Sequence, residues 1–201
     1  MTLVIMISLL AGGLAGYFFI PQETAGSIEN ASMYALYALI FLIGIEIGIN
    51  KNAFRNIRIV GKRIVLVTVS IIIGTWVGGV IAGFIYGMPK SISLAIASGF
   101  GWYSLSGVLL KEMGGAEIGT IAFITNVSRE IIAFLTIPWL AKKLSYNSAI
   151  APAGATSMDT TLPVITRYTD DETALVSFGN GLILSMLVPI LVPVMYGLPI
   201  K

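Results

Sequence analysis

Asn126, Arg129 and Glu130 fall at i, i+3 and i+4 in the middle of an apolar run, where residues of these types could handle charge. Residues 118–128 and 131–141 flank Arg129-Glu130 with eleven uncharged residues on each side. As one helix the segment is long enough to cross the hydrocarbon core of a bilayer, which puts the charged pair near its middle. Each such charge costs roughly 2.5–3.5 kcal/mol on insertion scales, so a functional site is the default reading. A titratable Glu130 held beside Arg129 would bind a cation or a proton in alternation. The structural alternative is an ion pair that only locks helices together. It is disfavoured because a neutral pair would pack at lower cost.

Asp159 is the next candidate, in Thr156-Ser157-Met158-Asp159-Thr160-Thr161. It reads as an N-cap opening a helix. It also reads as a partner for a substrate ammonium, while the free N–H groups of that helix start take a carboxylate. Gly101, Trp102, Tyr103, Ser104 and Ser106 combine flexible backbone, hydroxyls and aromatic faces. Such a lining suits an alkyl chain ending in an ammonium, through cation–π contact; the plainer reading is an aromatic anchor at the membrane interface. Glu46 stands near the end of an apolar segment, where it either snorkels to the interface or serves as a second acid. The candidates are therefore Gly101, Trp102, Tyr103, Ser104, Ser106, Asn126, Ser157, Asp159, Thr160 and Thr161 for substrate, with Glu130, Arg129 and Glu46 for proton or cation coupling.

The elements that must hold these residues are membrane helices. The chain is 56% hydrophobic and 11% charged, with mean hydropathy +0.91, beyond the range of soluble domains. Residues 1–201 read as a single transmembrane domain. Cysteine and histidine are both absent, which excludes disulfides and the commonest proton shuttle and metal ligand. Nothing in the sequence calls for a cofactor, a metal or nucleic acid. The N-terminal stretch lacks the basic start of a signal peptide and is read as a membrane helix.

Five spans are expected, at about 3–20, 31–50, 64–87, 118–140 and 173–198. Two further apolar segments, 91–112 and 147–168, are interrupted by Ser98-Gly99-Phe100-Gly101 and by Pro152 through Ser157. Non-helical backbone at membrane depth survives only where protein covers it or where it lines a wet cavity. Paired interruptions of this kind point to a transporter's binding site. Each arm of about eight residues would reach roughly 12 Å, close to mid-bilayer.

Charge orients the chain. Residues 51–63, read as a loop, carry five basic residues and belong in the cytoplasm, whereas 21–30 carries two acids and no bases. Re-entrant hairpins at 91–112 and 147–168 place eight basic residues inside and three outside; full crossings give seven and four. The expected architecture is therefore an all-α polytopic membrane protein, N-terminus inside and C-terminus outside. It has about five transmembrane helices plus two discontinuous, re-entrant hairpins in a weak inverted repeat. The repeat unit is one span and one hairpin, 64–112 and then 118–168, with the tips meeting near the midplane.

Three stretches carry a family resemblance: 97–107 (ASGFGWYSLSG), 128–133 (SREIIA) and 154–164 (GATSMDTTLPV). They resemble the LysO family of lysine exporters, and the similarity runs through nearly the whole chain. The resemblance implies export of L-lysine and its analogues across a prokaryotic inner membrane, and an essential intramembrane acid where Glu130 stands. It also implies further N-terminal spans and a second acid in full-length members. On that basis Glu46 substitutes for the missing acid, or a second copy or a small membrane partner completes the transporter.

Proton antiport is the expected mechanism, with L-lysine and protons as the partners. An ion or solute channel, or one subunit of a two-component exporter of different specificity, is the alternative. A membrane enzyme is disfavoured, because the faint serine-protease pattern at Ser104 and Ser106 has no histidine base.

Overall fold

The computed structural model describes residues 51–200, of 51–59 the backbone only, together with 11, 12, 14–16, 18, 34, 38 and 41. The chain divides into two units, Met1–Ile49 and Asn50–Lys201. In the first unit the isolated described positions are helical. The remainder of the spans expected at 3–20 and 31–50, and Glu46 with them, lies outside the described residues.

The second unit is built from helices. They are α1 (Lys51–Tyr86), α2 (Lys90–Ala97), α3 (Tyr103–Lys143), α4 (Tyr146–Ile150), α5 (Leu162–Tyr168) and α6 (Asp171–Tyr196), with a 3-10 turn at Gly154–Met158. Three segments are long and apolar enough to cross a membrane: Val60–Tyr86, Tyr103–Lys143 and Asp171–Tyr196. Val65, Leu66, Val69, Ile73, Val77 and Ile81 of α1 are exposed, as suits a helix facing lipid rather than water. The chain is a multi-pass membrane protein.

The basic stretch 51–63 is helical and continues into the span, so it is the first turns of α1 and not a loop. The cause is local: Lys, Arg, Asn and Ile carry no strong helix penalty, and the first glycine comes only at Gly61.

A continuous α3 of 41 residues would measure about 60 Å, twice the hydrocarbon thickness. It is divided at Gly115, whose φ of 88° and ψ of 171° are not helical. A Cβ built on Gly107 would lie 3.0 Å from the Cβ of Phe123, and one on Gly119 would lie 2.6 Å from that of Lys111. In one straight helix twelve residues span about 18 Å, so these contacts require limbs 103–114 and 116–143 to run antiparallel. Small residues at 107 and 119 allow the close approach.

α2 folds back along α1. Gly87, at φ +66°, turns the chain. Gly83 and Gly79 then face Ser93 and Ala97, and Trp76 Nε1 donates to Ser98 Oγ at 2.9 Å. The first break, Ser98 to Trp102, thus lies beside the middle of α1, and limb 103–114 returns toward the Tyr86 end. The second broken segment does the reverse. Its start is fixed by Arg63 Nε donating to Asn147 Oδ1 at 2.8 Å. Its exit is fixed by Arg63 Nη1 on Glu172 Oε1 at 2.7 Å and Nη2 on Thr173 Oγ1 at 3.2 Å. Asp170 caps α6 by accepting from the Thr173 N–H at 2.8 Å, and hydrogen bonding to Thr173 holds its carboxyl below the usual range.

The two breaks touch. The Ala155 N–H donates to Phe100 O at 2.8 Å. Asn126 and Asn180 are 54 residues apart, as are Phe100 and Gly154.

Candidate functional site

Each break is held by an asparagine from the long helix that follows it. Asn126 Oδ1 accepts from the Gly101 N–H at 2.7 Å. Its Nδ2 donates to Ile96 O at 3.2 Å, Ser106 Oγ at 3.3 Å and Ala122 O at 2.9 Å. Asn180 Nδ2 donates to Gly154 O at 3.1 Å and Ser157 Oγ at 3.0 Å, and its Oδ1 accepts from Thr68 Oγ1 at 3.0 Å. Both side chains are buried. The physical need is common to both. Broken helices leave carbonyls and N–H groups unpaired in an apolar surrounding, and each must find a partner.

Other polar residues expected to meet substrate do this same work. Ser106 Oγ donates to Trp102 O at 2.8 Å. Ser157 Oγ donates to Ser177 O and Ser177 Oγ to Ser157 O, both at 2.8 Å. Thr161 Oγ1 donates to Thr156 O at 2.9 Å. Trp102 and Ser104 are half-buried at the start of α3, and Tyr103 packs edge-on against Phe123 with ring centroids 5.4 Å apart.

Arg129 and Glu130 do not pair with each other. Arg129 reaches the first arm of the second broken segment: Nε donates to Pro152 O at 3.0 Å and Nη2 to Ala151 O at 3.1 Å. Its Nη1 donates to Thr75 Oγ1 of α1 at 3.3 Å. Glu130 reaches the second arm, where Thr160 Oγ1 donates to its Oε1 at 2.5 Å. Adjacent helical residues point about 100° apart, so the pair straddles residues 151–160 instead of sharing one side.

Glu130 is fully buried, and its Oε2 has no hydrogen-bond partner among the described residues. Asp159 interacts electrostatically with it, and Tyr103 interacts with both acids. Glu130 of α3 and Thr160 of the second break thus meet directly, with Asp159 next to Thr160 in the chain. Asp159 itself is exposed, and it is not the expected helix N-cap. It ends the 3-10 turn, its Oδ1 accepts from the Thr160 N–H at 2.5 Å, and Thr161 takes the N-cap position of α5. The helix starts later because Thr156 to Met158 wind as a 3-10 turn and Pro163 fixes the first turn of α5.

Asn180, Thr75, Thr68 and Ser177 are among the polar residues that sequence reasoning overlooked. Asn180 had a signal, as an amide in the middle of an uncharged apolar run and one repeat length beyond Asn126. Asn180→Ala removes three buried hydrogen bonds. It should lower the stability of the purified chain by about 1–3 kcal/mol, allowing for the modest net value of such bonds in membranes. Thermal unfolding in detergent measures this, and an unchanged midpoint would mean that the second break is held some other way.

Residues 6–196 match the family model described as Lysine exporter LysO. The chain is 42% identical to "Lysine exporter LysO" of Escherichia coli (strain K12) over 180 residues, 90% of this chain and 58% of that protein. It is 34% identical to a "Putative lysine exporter" of Haemophilus influenzae over 172 residues, 86% of this chain and 87% of that protein. The chain thus spans less than two thirds of the length of the Escherichia coli relative. No solved structure matches.

Proposed function

Because the chain belongs to the LysO family of lysine exporters, we propose that it carries L-lysine and its analogues out of a prokaryotic cell, in exchange for protons at Glu130. One observation carries the reading: a fully buried carboxylate with one oxygen held by Thr160 and the other without a hydrogen-bond partner among the described residues. Left charged and half-satisfied, such a group is costly. Either a proton on Oε2 or an ammonium beside it removes the cost, and the two exclude each other. The exchange follows. With Glu130 ionised, its charge and that of Asp159 attract the lysine ammonium. Protonation of Glu130 from outside weakens that attraction and resets the carrier.

The two broken segments serve in this reading as re-entrant hairpins, one from each side of the inner membrane. The Arg63 end of α1 faces the cytoplasm, in line with Lys142, Lys143 and Arg167 near the same end. In this reading the bond from the Ala155 N–H to Phe100 O joins the two tips, a contact that alternating access would break and remake. Cysteine introduced at Lys90 in this cysteine-free chain should react with an impermeant thiol reagent in intact cells. One introduced at Ser145 should react only after permeabilisation. Labelling of position 145 from outside would overturn the hairpin reading of 91–112.

Proteoliposomes holding the full chain, with lysine and pH gradients imposed separately, test the function. Lysine flux should saturate and should be driven by an opposing proton gradient. Lysine flux indifferent to the pH gradient removes the antiport, and no lysine flux removes the export reading.

A further inference from the structure

A groove of about 610 Å³ runs beside α1, its wall largely apolar through Leu66, Val67 and Ile71, with Ser70, Thr75 and Asn147 as polar points in it and Ala151 and Pro152 on the far side. It extends from the neighbourhood of Asn147, which Arg63 holds, to Thr75. Every acceptor of the Arg129 guanidinium belongs to a residue of this lining: Thr75 Oγ1, Ala151 O and Pro152 O. A guanidinium carries five N–H donors, so these three bonds leave two without a partner among the described residues. All three acceptors are neutral, and no carboxylate among the described residues is within ion-pair distance of Arg129; the ion pair found among them is Arg63 with Glu172. A charge needing only carbonyl and hydroxyl partners at this depth would be better replaced by a neutral amide. A charge with no carboxylate partner among the described residues, beside a groove whose largely apolar wall is interrupted by Ser70, Thr75, Asn147 and Ser148, therefore asks for an anion.

We propose that the groove takes the α-carboxylate of the transported amino acid and that Arg129 is its binding residue, which rests on the amino-acid export reading. Glu130 reaches Thr160 on the other flank of residues 151–160, so neighbouring side chains read the two charged ends of the substrate. A carboxylate on Arg129 forms charge-assisted bonds, the stronger class, and competes with the Ala151 and Pro152 carbonyls for the same donors. Specificity follows as well. A diamine without a carboxylate meets only the positive charge of Arg129 in the groove and is disfavoured there.

The test uses the full chain in two measurements. In proteoliposomes, lysine should compete with labelled lysine roughly 10-fold or more better than cadaverine or lysinamide, which lack the carboxylate. Arg129→Gln should erase that preference by weakening lysine while leaving cadaverine nearly unchanged. Arg129→Lys, which keeps the charge, should retain part of it, as should Thr75→Val, which removes one neutral partner of the guanidinium. In detergent, the thiol of Ser70→Cys, unique in the chain, should be protected from maleimide by lysine and by 6-aminohexanoate but not by cadaverine. Protection should vanish when Arg129→Gln is added. Equal losses for lysine and cadaverine in all three position-129 and position-75 variants, or protection independent of Arg129, would overturn the proposal. Arg129-dependent protection in a chain that shows no lysine flux would uphold the carboxylate site and remove lysine export instead.

Discussion

Glu130→Gln should abolish proton-coupled lysine export while leaving a folded, membrane-inserted chain. The substituted amide keeps an oxygen where Oε1 accepts from Thr160 and puts an NH2 where Oε2 stands without a partner among the described residues, so shape and packing are conserved. What disappears is titration and the negative charge. Loss of a buried counter-charge to an ammonium is worth about 2–5 kcal/mol, which implies a fall in lysine flux of about 30-fold at the least and up to about 1,000-fold or more. Thr160→Val is the graded comparison: it removes one hydrogen bond to the carboxylate and leaves the charge, so a fall of about 10-fold is expected. Flux under an imposed pH gradient, read beside the amount of protein recovered in the membrane, separates these outcomes. Near-normal coupled flux in well-expressed Glu130→Gln would return Glu130 to a structural role and remove the antiport with it.

Legibility in the sequence divides by physical cause. The interruptions at 98–101 and 152–157 could be read because Gly, Ser and Pro at membrane depth leave the backbone unsatisfied, and that demand is independent of tertiary detail. The observed breaks, Ser98–Trp102 and Ala151–Thr161, fall in the same places, and each is held by a buried asparagine, Asn126 and Asn180. Side-chain direction is the weak link. Adjacency makes Arg129 and Glu130 read as one pair, although helix geometry alone sends neighbours to different sides. Asp159 reads as a cap because the residue type fits, but capping depends on where the turn starts, which is set by the 3-10 winding of residues 154–158. The serines and threonines look like substrate ligands since type and depth allow it. Only the folded arrangement shows that Ser106, Ser157 and Thr161 are engaged by the protein itself in holding the breaks.

Gly154→Ala should separate the two broken segments and stop transport. Gly154 has φ of +60°, and a Cβ built on it would overlap Phe100 O and lie 3.0 Å from Arg129 Nη2. Two costs therefore combine. The left-handed conformation alone costs an L-residue about 1–2 kcal/mol. The steric overlap is with a backbone oxygen, which cannot yield without breaking the bond it accepts from the Ala155 N–H. A total of roughly 3–5 kcal/mol is expected, at the upper end for single substitutions. Gly87→Ala isolates the conformational cost: Gly87 has φ of +66°, and a Cβ placed there would meet nothing described within 4 Å. That substitution should lose only about 1–2 kcal/mol and retain lysine flux. Thermal unfolding of the two variants side by side gives the difference due to the tip contact. If Gly154→Ala unfolds and transports like Gly87→Ala, the tips are not held together in the working protein. The contact between Phe100 and Ala155 would then have no part in keeping the two sides of the membrane apart.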